Sequence, residues 1–177
     1  QTNNSGTLVP GTYSVDELTP AGWDETSATC SDESSPGEIA LDPGETVICT
    51  FTNTQRGSIT VIKITSPETD DSTEFEFTGD LGDFSLVGNG DSETFSNLLA
   101  DEYLLEELTP SGWQLTNVNC SGEEVFENGG TITLSPGEDV ECVFTNTQEG
   151  TIIVEKQTIP DGELQTFSFS DDVAGTI

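Results

Sequence analysis

The sequence predicts an all-β chain built as a tandem of β-sandwiches, and three observations carry that reading. Apolar residues alternate with polar ones in short runs, as at Ile59, Val61 and at Phe75, Phe77, which is the two-residue period of half-buried strands. Turn signals separate the runs, among them Gly88-Asn89-Gly90 and Pro136-Gly137. The third observation is internal repetition. GTYSVDELTPAGW (Gly11 to Trp23) matches DEYLLEELTPSGW (Asp101 to Trp113) at an offset of 90, and Cys30 falls on Cys120. Further on, GETVICTFTNTQRGSITVIK matches GEDVECVFTNTQEGTIIVEK at an offset of 93, carrying Cys49 onto Cys142, Asn53 onto Asn146 and Lys63 onto Lys156.

A period of this length is a whole domain rather than a solenoid unit. FTNTQ ends each block and a Gly opens the next strand, so one complete copy runs over 56–148. Residues 1–55 supply the later part of a preceding copy, and 149–177 the beginning of a following one. The three-residue difference in offset places an insertion in the loop holding Glu127-Asn128-Gly129-Gly130. Within the complete copy the expected strands are Ser58–Thr65, Glu74–Thr78, Asp83–Val87, Ser92–Phe95, Tyr103–Glu107, Trp113–Asn119, Thr131–Ser135 and Asp139–Thr145. Gly88-Asn89-Gly90 reads as the turn of a hairpin between the third and fourth. Pro136-Gly137, like Pro43-Gly44, marks the turn before the last strand. Short strands at this density are those of a sandwich.

Composition narrows the function. The chain has 177 residues, with 3 basic against 34 acidic side chains and a net charge of -31. Such a balance repels phosphate and excludes nucleic acid, and it argues against docking on anionic lipid. There is no His, so imidazole bases and the usual metal ligand are missing. Disorder is the alternative for so acidic a chain, but a disordered segment has no reason to keep alternating apolar runs. No apolar stretch approaches a membrane span and no signal peptide is present. With no initiator Met either, the chain reads as a segment of something longer, or as one whose two partial copies complete each other between molecules.

Alternation also fixes which polar residues point inward. In the opening strand Ile59, Val61 and Lys63 share a face, matched by Ile152, Val154 and Lys156. Tyr103, Leu105 and Glu107 share another, paralleled by Tyr13, Val15 and Glu17, while Glu106 faces outward. In the last strand Cys142, Phe144 and Asn146 line up, paralleled by Cys49, Phe51 and Asn53. Both lysines of the chain therefore occupy this one inward position. An unpaired buried ammonium costs several kcal/mol, so a partner is required. One reading is a Lys–Glu ion pair with Asn bonded to it, or a Lys that snorkels to water. The other is covalent: desolvation favours a neutral amine and a protonated acid, and the amine attacks the Asn carboxamide while the acid shuttles protons.

Lys on the first strand, Glu after a Tyr strand and Asn on the last, in SITVIK, YLLEELTPSGW and VFTNT, resemble the Cna-B type, SpaA-like domains of bacterial surface adhesins and pili. The resemblance implies a prealbumin-like, Ig-like sandwich and an intramolecular isopeptide bond between Lys63 and Asn146 with Glu107 as catalyst. Glu17, Asn53 and Lys156 are the equivalent positions in the partial copies.

Cys30 with Cys49 and Cys120 with Cys142 recur in phase, without the CxxC spacing of a metal site, and read as one structural disulfide per copy in an oxidising exterior. Asp70-Asp71 and Asp80 to Asp83 read as solvated loops rather than calcium sites, and Trp23 and Trp113 as packing residues. No cofactor or metal is called for. The expected function is structural: an extracellular bacterial fibre or stalk whose partners are neighbouring copies of itself, with single-turnover bond formation and no enzyme activity. A self-polymerising subunit, with Lys156 bonded to Asn53 across the junction, and an adhesin binding a ligand through its loops are the alternatives.

Overall fold

The computed structural model describes residues 3–68, 73–88, 90–121, 123–124, 129–159, 166–167 and 169. Among these the secondary structure is all β. Residues 57–148 form two facing sheets. The first has the order β11 (Glu123–Glu124), β10 (Trp113–Cys120), β13 (Asp139–Gln148), β5 (Gly57–Ser66) and β8 (Asp91–Leu98). The second runs β12 (Gly129–Leu134), β9 (Asp101–Leu108), β6 (Glu74–Gly79) and β7 (Phe84–Val87). Every pairing is antiparallel except that of β5 with β13, the first and last strands, which lie side by side and parallel. The expected strands all form.

Between the sheets the inward rows interlock. Ile59 and Val61 of β5 and Phe144 and Cys142 of β13 meet Phe75, Phe77, Leu105 and Ile132 from the other sheet, all buried. Edge-on contacts of Phe75 with Trp113 and of Phe77 with Phe144 fill the centre at ring separations of 5.4 and 5.1 Å. Gly57 is required where β5 begins, because a Cβ there would lie 2.2 Å from the Glu138 carbonyl oxygen.

The expected hairpin at Gly88 to Gly90 does not exist. β7 pairs with β6 in one sheet and β8 with β5 in the other, so this turn carries the chain across the sandwich. Gly88 passes against the Thr65 side chain, and the Gly90 amide donates to the Lys63 carbonyl at 2.8 Å. A turn signal specifies reversal but not which edge receives the returning strand. Asn89, Asp70-Asp71 and the insertion residues Glu127 and Asn128 lie outside the described residues.

Residues 11–55 reproduce parts of the same plan in two two-stranded sheets: β1 (Gly11–Tyr13) with β3 (Ile39–Leu41), and β2 (Trp23–Cys30) with β4 (Cys49–Gln55). The β2–β4 pair copies β10–β13 in detail. Each has a register shift at the same place, between Glu25 and Ser27 or between Leu115 and Asn117. The extra Thr there, Thr26 or Thr116, bonds a partner-strand carbonyl at 3.1 Å. Tyr13 and Tyr103 both tie back four residues, to the carbonyls of Val9 and Leu99. A closed core is what this portion lacks. Trp23 is 41% exposed where Trp113 is 8%, so of the two tryptophans only Trp113 packs as expected. Residues 149–159, expected to open another strand, pair with no sheet; a strand without neighbours has no ladder to hold it.

Arg56 joins the two portions. Its Nε and Nη2 donate to both oxygens of Asp24 at 2.7 Å, and Nη1 donates to the Asn97 carbonyl at 3.0 Å. The Arg56 hydrogen bond holds the Asp24 carboxyl below its usual range. A depressed carboxylate contributes above its ordinary range and loses that contribution as pH falls through the depressed value. Protection of the Arg56 Nε–H from exchange, read by NMR, is therefore expected to persist through mildly acidic pH and to be lost only below the normal aspartate range.

Both disulfides form, each directly across a strand pair: Cys30–Cys49 and Cys120–Cys142, with sequence separations of 19 and 22. Loops of this size contribute roughly 3 kcal/mol each in the chain-entropy treatment. Cys120 and Cys142 are buried at 7% and 0% exposure, whereas Cys30 and Cys49 are partly open to solvent. Under native conditions with a mild reductant, alkylation read by mass spectrometry should label Cys30 and Cys49 first and leave Cys120 and Cys142 protected until the sandwich unfolds.

Candidate functional site

β5 places Ile59, Val61, Lys63 and Thr65 on its inner face, all buried, and its register with β13 sets Lys63 beside Phe144 and Thr65 beside Asn146. From the opposite sheet β9 delivers Glu107, whose neighbour Glu106 is exposed. Three polar side chains thus meet in the sandwich interior, with Lys63 and Asn146 at 0% exposure and Glu107 at 5%.

The geometry divides their atoms cleanly. Lys63 Nζ donates to Asn146 Oδ1 at 2.8 Å and to the carbonyls of Phe144 and Ile64 at 3.0 Å. The Phe75 ring lies beneath Nζ, 4.3 Å from its centroid, in cation–π contact. The other end of the carboxamide, Asn146 Nδ2, donates to Glu107 Oε1 at 2.5 Å. Thr109 Oγ1 donates to the same oxygen at 3.3 Å. Glu107 Oε2 is 3.6 Å from Nζ and has no hydrogen-bond partner among the described residues. One carboxyl group therefore faces both the amine and the amide nitrogen. Burial pushes the Glu107 carboxyl above its usual range, against the opposing pull of the Lys63 charge and of the Asn146 hydrogen bond.

An amine on the carbonyl side of a carboxamide, with an acid on its nitrogen side, is the set needed for transamidation. The sequence brought Lys63, Glu107 and Asn146 into view. Phe75 and Thr109 escaped it, although Thr109 had a signal: ELTP occurs twice, as Glu17 to Pro20 and as Glu107 to Pro110.

In the N-terminal portion Glu17 and Asn53 also meet, with Asn53 Nδ2 donating to both carboxylate oxygens at 2.8 and 2.9 Å. Lys156 is elsewhere. Its Nζ donates to the Gln157 carbonyl and lies 4.2 Å from the Phe167 ring centroid. Asp80 and Asp83 serve turns, accepting from the Leu104 amide and the Thr78 hydroxyl.

The family profile of the prealbumin-like fold domain matches residues 59–148, and a second profile of the same description matches residues 1–51. The chain belongs to the SpaA-type prealbumin-like fold domains. No curated protein matches it. Among solved structures, this SpaA-type chain is similar to a bacterial adhesin from Mobiluncus mulieris containing intramolecular disulfide, isopeptide and ester bond cross-links. Identity is 16%, the TM-score 0.41, and the match covers 82% of this chain and 56% of the adhesin, so the chain spans about half of that molecule. The major pilin of Streptococcus pyogenes is similar at 16% identity and a TM-score of 0.39, over 79% of this chain and 71% of the pilin. The Bacillus anthracis TIE protein is similar at 11% identity and a TM-score of 0.32, over 75% of this chain and 33% of that protein.

Truncating Glu107 would strand the Lys63 ammonium in the core of this SpaA-type sandwich. Glu107→Ala is expected to cost about 3–5 kcal/mol in urea unfolding, while the exposed neighbour change Glu106→Ala should stay within about 0.5 kcal/mol.

Proposed function

We propose that this chain is a mechanical module of an extracellular bacterial surface fibre, in which an autocatalytic isopeptide bond between Lys63 and Asn146 ties the first strand to the last. The observation that carries the reading is the contact of Lys63 and Asn146, on adjacent parallel strands, with each other and with Glu107 of the opposite sheet, all three buried. Proton transfer from the Lys63 ammonium to Glu107 Oε2 frees the amine. Nζ then attacks Asn146 Cγ and the new C–N bond forms; Glu107 passes its first proton to Nδ2 as the Cγ–Nδ2 bond breaks and takes up the second proton that Nζ sheds on becoming an amide nitrogen. Neutral ammonia leaves, and Glu107 ends protonated, unconsumed as a proton carrier. Each site turns over once, so the module is not an enzyme towards other molecules.

Topology supports the mechanical part. A pull on the ends of this unit, at Gly57 and Gln148, shears β5 against β13. A covalent tie from Lys63 to Asn146 passes the tension between those strands directly, and the sandwich between them is spared. Two disulfides fit an oxidising location outside the cytoplasm. The net charge of -31 keeps neighbouring fibres apart.

The test is the intact mass of the denatured, reduced chain. The expected value is the calculated mass less one ammonia, with a Lys63–Asn146 branched peptide after digestion. Lys63→Arg and Asn146→Ala should each restore the full calculated mass. Glu107→Gln keeps the shape but not the proton shuttle, and should slow bond formation by about 10²–10⁴-fold. A full calculated mass for the unsubstituted chain would overturn the covalent reading.

A further inference from the structure

We propose that Arg56 is a two-sided clasp that fixes the orientation of two consecutive repeats, and that the residue pair at positions 56 and 24 sets how stiff such a joint is. This clasp is independent of the Lys63–Asn146 bond.

The joint has almost no linker. β4 ends at Gln55 and β5 begins at Gly57, so Arg56 alone separates them. Even one residue leaves two soft backbone dihedrals, so a fixed angle needs contacts that cross the joint. The Arg56 amide donates back to the Gly22 carbonyl at 2.9 Å. Its guanidinium grips Asp24 of β2 through Nε and Nη2, both at 2.7 Å, and Nη1 reaches forward to the Asn97 carbonyl of β8 at 3.0 Å. One planar group therefore holds a strand on each side of the joint. Arg suits this task because its donors sit in a rigid fork, and two of them engage one carboxylate.

The receiving side is shaped for the clasp. Gly57 pairs with Leu98 and Ser58 with Ser96, which makes Asn97 the extra residue of a bulge. Its φ of 59° lies in the left-handed region that Asn tolerates better than most residues. An extra residue of this kind drops out of the ladder, and Arg56 takes its carbonyl. On the other flank of β5 the turn into β13 closes on the joint, with the Gly137 amide donating to the Gln55 carbonyl at 2.9 Å. Gly suits this turn: its φ is 71°, and a Cβ would lie 2.7 Å from Gln55 Oε1. β8 and β13 are the two neighbours of β5 in its sheet. Bending the joint within the sheet plane thus opens the Asn97 contact in one direction and the Gln55–Gly137 contact in the other.

The repeat supplies a contrast. FTNTQRG recurs as FTNTQEG, so Glu149 stands where Arg56 does, and Gln114 replaces Asp24. The backbone setting is unchanged, since the Glu149 amide donates to the Gly112 carbonyl at 2.8 Å as Arg56 does to Gly22. Both members of the pair differ together. A carboxylate beside a carboxamide forms no ion pair, and it has no donor to offer a carbonyl of a following repeat. The Arg56 joint is locked, and the Glu149 joint is the compliant one.

The test measures residual dipolar couplings on the whole 177-residue chain and fits the strands of 11–55 and of 57–148 separately. The expected result is one alignment tensor for both. Arg56→Glu with Asp24→Gln installs the second joint's pair and should lose the common tensor, with the two sets of axes diverging. Arg56→Lys keeps the charge without the fork and should lose part of the agreement. Separate tensors in the unsubstituted chain overturn the clasp. A common tensor kept in the double variant also overturns it, because the short linker and the Gln55–Gly137 contact then suffice. Where the double variant loses the amide dispersion of 11–55, Arg56→Lys decides: agreement kept in full sinks the assignment. Intact mass reads the Lys63–Asn146 bond separately, so neither result bears on the other.

Discussion

The parallel pairing of β5 with β13 is the constraint from which the rest of this structure follows. Antiparallel hairpins could have built both sheets from local contacts, yet the 57–148 sandwich brings its first and last strands together at the centre of one sheet. That choice places Lys63 and Asn146 within hydrogen-bond distance although they are 83 residues apart.

The buried charges make sense in the same frame. Sequestering an ammonium and a carboxylate in a sandwich core gains little over an apolar filling of equal volume. Retaining Lys63 for stability alone would therefore be a poor use of one of the chain's three basic residues. The proposed condensation with Asn146 would change the balance. The amine would become a neutral amide nitrogen and Glu107, whose carboxyl burial already raises, would be left as a neutral acid. Such a reaction would remove the two charges whose desolvation the unreacted core must bear, with the fold supplying the proximity that would otherwise require an external catalyst.

Much of this was legible because strands alternate with a period of two. Reading that period from Ile59 put Lys63 inside, and from Tyr103 it separated Glu107 from Glu106; the burial of each agrees. Repetition then linked Lys, Glu and Asn positions that lie far apart in sequence. What alternation cannot encode is which sheet a strand joins. β7 and β8 read as a hairpin and instead sit on opposite sheets. Nor does it reveal contacts across the sandwich, so Phe75 beneath Lys63 Nζ appeared only in three dimensions. The exposed Trp23 was hidden for a different reason: a repeat transmits a residue's position, but burial needs the partner strands that residues 1–55 do not themselves contain.

The disulfide and the proposed isopeptide bond would divide the labour by geometry rather than by energy. Cys120–Cys142 closes a separation of 22 residues inside the β10–β13 pair, whereas a Lys63–Asn146 tie would close one of 83. Loop-closure entropy grows only with the logarithm of length, so the longer closure is worth about 1 kcal/mol more than the shorter. That margin is too small to explain a buried Lys–Glu–Asn triad. The direction of force explains it better. The disulfide links antiparallel neighbours within one half of the sequence and lies off the path between Gly57 and Gln148. The Lys63–Asn146 contact joins the two strands through which tension enters and leaves this unit. Thermal stability could be met by either bond, but resistance to extension would require the second.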